Sequence, residues 1–421
     1  MVKEHLNKVV EEAKKRLEID TAQNPELRRA IFIVEGFLRK TGRVCYGGQA
    51  INAQLPQKDK FYNPTISLPD YDFFSPSAKD DVDTLVNEFR EAGYTEIAKR
   101  IGIHEGTSKI FVNFISIADI TELAPEFYDS IYKKSTVQYG IHYADPIFLR
   151  MMAYLELSRP RGQVERWEKV YDRINLLDKA HLIKYCRDYD TYQSNAASIV
   201  RPTIIRYMMA TRRVFMGIDS NKLYINKSTM VRTRLLFNSR DPVVFLSPDA
   251  NLDADALIQS TMAKKVQIIG YQNILPAMVA LYHGNNLICI IVQEEACHSY
   301  IELPLTNNRK IRLASLYTLL TFYIGLYYRD EILVSHDNLL CYIKDYINLL
   351  NKYKIHPTKL FPAFPIECSG YQTTFASLLR AKGARIEAAR QKLSSGNKLN
   401  LNTVKNRLRT PTLKTRRKNT Y

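Results

Sequence analysis

Two short stretches limit what this chain can fold into: Cys45-Tyr46-Gly47-Gly48-Gln49-Ala50 and Leu68-Pro69-Asp70-Tyr71-Asp72-Phe73-Phe74-Ser75. The first reads as a strand, a glycine turn and a helix. The second reads as a strand over about 66–75 that carries two aspartates one residue apart. Side chains on a strand alternate faces, so Asp70 and Asp72 project to one side, roughly 7 Å apart, while Tyr71 points away. Paired carboxylates on a rigid face suit hard divalent cations, and two such ions stabilise both oxygens of a phosphoryl displacement. Gly47 and Gly48 let the backbone turn sharply and approach a phosphate, and the helix that follows offers free N–H groups. Together the two stretches point to nucleotidyl transfer from a nucleoside triphosphate.

A lone D-x-D is common, and context separates this one from its decoys. Asp188-Tyr189-Asp190 ends a helical pattern and is followed by polar residues. Asp253-Ala254-Asp255 begins a helix, where acids favour the positive end of the dipole. Asp80, Asp81 and Asp83 read as N-cap and first-turn acids. Two carboxylates leave metals short of ligands, and a third is expected from a neighbouring strand. Asp119 in Ile115-Ser116-Ile117-Ala118-Asp119-Ile120 is the candidate, because a buried strand rarely carries an unpaired acid. Its plain alternative is a satisfied structural aspartate at a strand end, with Glu105 as the fallback ligand. The stretch 155–169 packs four cations and a hydroxyl. Ser158, Arg161 and Lys169 are the candidate phosphate contacts, Arg166 a weaker one, and Trp167 a core residue. The plain reading is a solvated helix face with Glu165 and Lys169 paired.

At 421 residues the chain is long enough for two or three domains, and 46% hydrophobic with 24% charged residues is a soluble composition. The opening twenty residues form a charged amphipathic pattern and not a signal peptide. The longest apolar run, 316–328, is too short to cross a bilayer. Six cysteines without C-x-x-C spacing argue against a zinc site or disulfide framework and for a reducing compartment. Cys297-His298 would point to opposite faces of a strand and is set aside as a metal pair. The formal charge is +17, and the stretch from Arg380 to Tyr421 carries 13 of the 60 Lys and Arg residues with one of the 43 acids. That tail is expected to be disordered and to seek a polyanion with a strong salt dependence, targeting being the alternative.

Asn24-Pro25 starts a helix that ends before Gly42. A second helix is expected over 78–93, strands near 95–103, 108–114 and 115–120, and helices from Ala144 to about Met216. Strand signals at 243–246, 266–269, 287–293 and 299–305, with an apolar helix over 313–328, indicate a second α/β unit. The expected fold is mixed α/β: a catalytic domain over 1–140, a helical middle region over 141–216, an α/β domain over 217–385 and a flexible basic tail over 386–421.

The order Gly-Gly, Asp-x-Asp and a third Asp resembles the polymerase-β-type nucleotidyltransferase superfamily. His104-Glu105-Gly106-Thr107, Val112-Asn113-Phe114, His142-Tyr143-Ala144-Asp145-Pro146, Leu157-Ser158-Arg159-Pro160-Arg161-Gly162 and Arg166-Trp167-Glu168-Lys169-Val170 narrow it. These resemble the poly(A) polymerase catalytic subunits of large DNA viruses, specifically in the first half of the chain and loosely in the second. The resemblance implies ATP as donor, an RNA 3′ end as acceptor and Mg²⁺ or Mn²⁺ held by Asp70, Asp72 and Asp119. It implies a triphosphate turn at Gly47 and Gly48, and a second α/β unit that is a degenerate transferase copy. It further implies a homodimer or a methyltransferase-like processivity partner, no membrane association, and a place in the virion and host cytoplasm. The 21 residues between Gly48 and Asp70 exceed the family spacing and imply an inserted loop near 56–64. Two alternatives stand beside this reading: a transferase adding UMP or CMP or making primer-free oligoadenylate, and a catalytically silent RNA-binding subunit.

Overall fold

The computed structural model describes residues 2–183, 194–271, 274–330 and 332–394. Asp188-Tyr189-Asp190 and the basic stretch beyond Ser394 lie outside the described residues. Helices α1 (Val2–Gln23) and α2 (Pro25–Thr41) lead into β1 (Val44–Tyr46), α3 (Gly47–Gln54), β2 (Tyr71–Ser75) and α4 (Ala78–Glu91). Then come β3 (Ile97–Ile101), β4 (Thr107–Val112), β5 (Ile115–Glu122), α5 (Pro125–Lys134), β6 (Thr136–Gln138) and β7 (Ile141–Tyr143). Helices α6 (Pro146–Leu157) and α7 (Trp167–Ala180) follow. The strands form one sheet in the order β3-β4-β5-β2-β1-β7-β6.

The second half repeats the plan. Helix α8 (Asn195–Ala210) precedes β8 (Val214–Phe215), α9 (Ser220–Ile225), α10 (Thr229–Asn238), β9 (Val243–Ser247) and α11 (Ala250–Thr261). Next are β10 (Lys264–Ile268), β11 (Met278–His283), β12 (Asn286–Gln293), β13 (His298–Pro304), β14 (Lys310–Ala314), α12 (Leu316–Tyr327) and α13 (His336–Ile355). The strand β15 (Cys368–Ser369) and α14 (Phe375–Ser394) end the described chain. The second sheet runs β10-β11-β12-β9-β8-β14-β13-β15. Apart from the added β15, the two sheets share one strand order and the same pattern of parallel and antiparallel neighbours.

Local chemistry explains the first unit. Asn24 accepts from the Glu26 and Leu27 amides at 3.0 and 3.1 Å, and Gly42 closes α2 in the left-handed region at φ 65°. The stripe Leu27, Ala30, Ile31, Val34, Phe37 and Leu38 is buried on the sheet side. The two halves meet through α6 and α12, which pack antiparallel. The Tyr328 hydroxyl at the end of α12 donates to Asp145, the N-cap of α6, and the Tyr328 ring meets Phe148 edge-on at 5.1 Å. At the other end the Ser299 amide, beside the N-cap Ser315 of α12, donates to Ser158 O at 2.8 Å.

Several expectations are corrected. The carboxylate strand begins at Tyr71, because Pro69 lacks an amide to continue a ladder, so Asp70 sits just outside it. The first sheet extends past residue 140 to take in β7, and β8 brings the second sheet in before residue 217. Leu313 belongs to β14, so the apolar helix starts only at Leu316. The helix α14 runs through 386–394, where a flexible tail was expected. Asp81 and Asp253 are first-turn acids as expected, and the structure adds that each is buried against an arginine, Arg43 at 2.6 Å and Arg213 at 2.7 Å. Cys297 and Cys368 form a disulfide, against the reading of six isolated thiols. They are 71 residues apart and meet only because β15 pairs with β13, a proximity that spacing cannot reveal.

Candidate active site

The site grows from the β1–α3 turn. Gly47 has φ 72°, which disfavours any side chain, and a Cβ there would lie 2.5 Å from Asp72 Oδ2. The turn and the acid thus require each other. No side chain caps the N-terminus of α3, which leaves its first amides available to an anion. Beneath it, Tyr46 stacks on Phe74 at 3.9 Å and its hydroxyl meets Thr121 Oγ1 at 2.8 Å, tying β1, β2 and β5 together.

Asp72 and Asp119 are directly opposite each other on the parallel strands β2 and β5. Burial, then the charges of Asp70 and Asp119, push the Asp72 carboxyl up to about 7, while Lys109 and Arg166 pull it back. Asp70 is raised for the same reasons, burial first and Asp119 next. Asp119 is paired with Lys109 from β4 and lies 3.4 Å from Ser116 Oγ. Three acids that repel one another beside the turn have the oxygen-donor chemistry that a hard divalent cation prefers. Among the described residues no three His, Cys, Asp or Glu side chains are gathered closely enough to clasp one, and Lys109 occupies Asp119.

A cationic helix face lies over the turn. A Cβ on Gly48 would meet Tyr62 Oη at 2.6 Å and Arg173 Nη1 at 2.7 Å. Arg173 donates to Tyr62 Oη at 2.7 Å and stands over the Phe61 ring at 4.8 Å. The expected loop near 56–64 supplies those rings, pinned by Asn52 Oδ1, which accepts from the Phe61 and Tyr62 amides. Arg173 lowers the pKa of Lys169, followed by burial and Arg166. Arg166, Lys169 and Arg173 thus share one face at helical spacing. Arg166 and Glu156 are paired at 3.1 Å, in place of the expected Glu165–Lys169 pair. Trp167 is partly buried and donates to Glu156 O at 3.1 Å.

The structure therefore brings Gly47, Gly48, Asp70, Asp72 and Asp119 to one place, with Lys169 at its edge. Arg161 is exposed on the turn after α6. Ser158 is corrected: it is fully buried, its hydroxyl donates to Leu155 O at 2.9 Å, and it faces the second sheet. Glu105 is an exposed turn residue. Arg173, Tyr62 and Lys109 escaped sequence reasoning, although the 166, 169, 173 spacing was there to be read.

Residues 32–163 match the family described as poly(A) polymerase catalytic subunit. A protein of Acanthamoeba polyphaga mimivirus described as a poly(A) polymerase catalytic subunit is 33% identical over 45% of this chain and 32% of its own length. A likewise described protein of African swine fever virus (isolate Tick/South Africa/Pretoriuskop Pr4/1996) is 29% identical over 41% of this chain and 38% of its own. The chain thus spans about a third of the length of the curated relatives it matches. The crystal structure of the Megavirus polyadenylate synthase superposes with a TM-score of 0.75 at 20% identity, covering 94% of this chain and 83% of that one. Through residues 32–163 the chain is similar to the poly(A) polymerase catalytic subunits of large DNA viruses, and its fold is similar to that of the Megavirus polyadenylate synthase.

Proposed function

We propose that this protein transfers AMP from ATP to the 3′ hydroxyl of RNA without a template, building a polyadenylate tail and releasing pyrophosphate. The observation that carries the reading is the placement of Asp72 opposite Asp119 under the Gly47 turn, with Arg173 and Lys169 above it. Asp70, Asp72 and Asp119 would hold Mg²⁺ or Mn²⁺, which when bound activates the acceptor hydroxyl and neutralises charge on the departing phosphates. The protein's own work is positioning. The amides at Gly47 and Gly48 receive the triphosphate. Arg173 and Lys169 neutralise it from above, Arg by a planar fork and Lys as a point charge, with Arg161 at the outer edge. Lys109 balances the charge of the acids and holds Asp119 in position.

The test is an extension assay with a labelled short RNA, each of the four nucleoside triphosphates separately, and Mg²⁺ or Mn²⁺. Incorporation from ATP alone, with Arg173→Ala raising the ATP Michaelis constant at least tenfold, is expected from the loss of a charged contact worth about 1.5–3 kcal/mol. Preferential use of UTP or CTP would reassign the donor, and metal-independent silence would make the chain an RNA-binding subunit.

A further inference from the structure

The helix α14 follows the second sheet but reaches back to the first. Arg385 Nη2 donates to Ile103 O at 3.0 Å and to Gly102 O at 3.3 Å, in the turn between β3 and β4. Its root is fixed on the other half: β15 pairs with β13, Cys368 is bonded to Cys297, and Ser369 Oγ donates to Glu294 Oε1 at 2.6 Å. Residues 368–385 therefore cross from one sheet to the edge hairpin of the other.

The covered face of that crossing is cationic. On α14 the partly covered positions include Leu378, Lys382, Arg385, Ile386 and Ala389, one face at helical spacing. Two of them are bases. The turn they approach presents His104, whose pKa is lowered by burial and then by Arg159, Arg166, Arg385 and Lys109. Those cations come from four different elements, and Lys109 also touches Asp119. A line of basic residues thus runs from the acid face to α14, with Lys109 paired to Asp119 and Arg166 to Glu156 at its inner end. Its outer bases, Lys382 and Arg385, are additional to Arg173 and the Gly47–Gly48 turn, the place proposed above for the triphosphate.

We propose that Lys382 and Arg385, with the β3–β4 turn, grip the phosphate backbone of the RNA strand being extended, so that α14 is a strap across the primer. The proposal rests on the reaction assigned above, because it takes the polyanion at this line of bases to be the acceptor. A protein partner with an acidic segment is the rival occupant.

The experiment measures binding of a fluorescent oligoadenylate to the full chain by anisotropy, in EDTA and without ATP, over a range of salt. Lys382→Glu with Arg385→Glu should weaken binding at least tenfold and flatten the log–log salt slope by about 1.4, at roughly 0.7 per lost contact on a single strand. Among the described residues Lys382 has no ion-pair partner. Lys382→Glu alone therefore leaves the latch in place and should flatten the slope by about half as much. The Michaelis constant for ATP should stay within about twofold. Unchanged affinity and slope in both variants overturn the strap and leave the face to a protein. If the unmodified chain adds no nucleotide yet the variants still lose RNA, α14 is an RNA grip but not a primer strap, and it is the assigned reaction that falls.

Discussion

The two sheets are built alike and equipped differently. In the first, Thr41 donates to Phe37 O, Gly42 turns left-handed, and Arg43 bonds Asp81; in the second, Thr211 donates to Tyr207 O, Arg212 turns left-handed, and Arg213 bonds Asp253. The Ser75 hydroxyl receives the Ser77 amide, and Ser247 receives that of Asp249. Gly47 finds its counterpart in Gly217, where a Cβ would strike the Phe215 ring at 2.3 Å. The working residues are gone. Register places Val244 and Ile290 where Asp72 and Asp119 stand, and Ala280 where Lys109 stands, with Pro242 two residues before Val244 as Asp70 is before Asp72. The helix α13 packs on α12 and α9 as α7 packs on α6 and α3, and buries Leu339 and Ile343 in place of a cationic face. Turn, cap and buried ion pair recur in both copies and belong to the fold; the acid cluster is in one copy and belongs to the reaction proposed above. A face of mutually repelling carboxylates costs stability, and the second copy does without it.

The sharpest way to break this comparison is to make the first copy resemble the second. Asp72→Val should cut AMP incorporation by more than about a thousandfold by removing a ligand and electrostatic stabiliser. Its melting temperature should not fall, since a crowded buried acid is exchanged for an apolar residue the sheet accepts elsewhere. A large loss of stability with residual turnover would show Asp72 to be structural. The paired ion bridges come next. Arg43→Ala and Arg213→Ala should each cost about 3–5 kcal/mol in denaturant unfolding, because each strands a buried carboxylate. Markedly unequal costs would mean that the shared geometry does not carry shared energetics.

The smallest effect is in the acids the second copy does keep. Arg201 is fully buried and bonds Leu236 O, Asp241 O and, at 3.0 Å, Asp219. Burial, then Asp219, push the Asp241 carboxyl up to about 6. A raised carboxyl keeps its proton in the folded state where the unfolded chain has released it. Its ionisation therefore weakens the fold as pH rises from about 4 to about 6. Asp241→Asn should remove that part of the pH dependence, and an unchanged profile from unfolding at pH 4, 5, 6 and 7 would place the proton elsewhere.

Much of this was legible in the chain. The strand–glycine–helix reading, the Asn24 cap and the strand position of Asp119 followed from local pattern, because each depends on neighbours within a few residues. What sequence could not give depends on distant contacts. Asp81 and Asp253 are helix-start acids, but that each also meets an arginine from outside its helix is not visible in the pattern. Ser158 looks like a phosphate ligand until Leu155 O and the second sheet enclose it. Cys297 and Cys368 meet only through a two-residue strand. Arg173 earns its place because the loop holding Tyr62 folds over Gly48, and no window around either residue contains both.

The antiparallel seam between α6 and α12 has a mechanical consequence. Equivalent helices that bury each other, each end meeting the opposite end of its twin, are the geometry of a twofold subunit interface. Here that interface is written into one polypeptide. A seam of that symmetry is the one two copies of a half-length chain would form, and it lets the half without the acid cluster brace the half that has it.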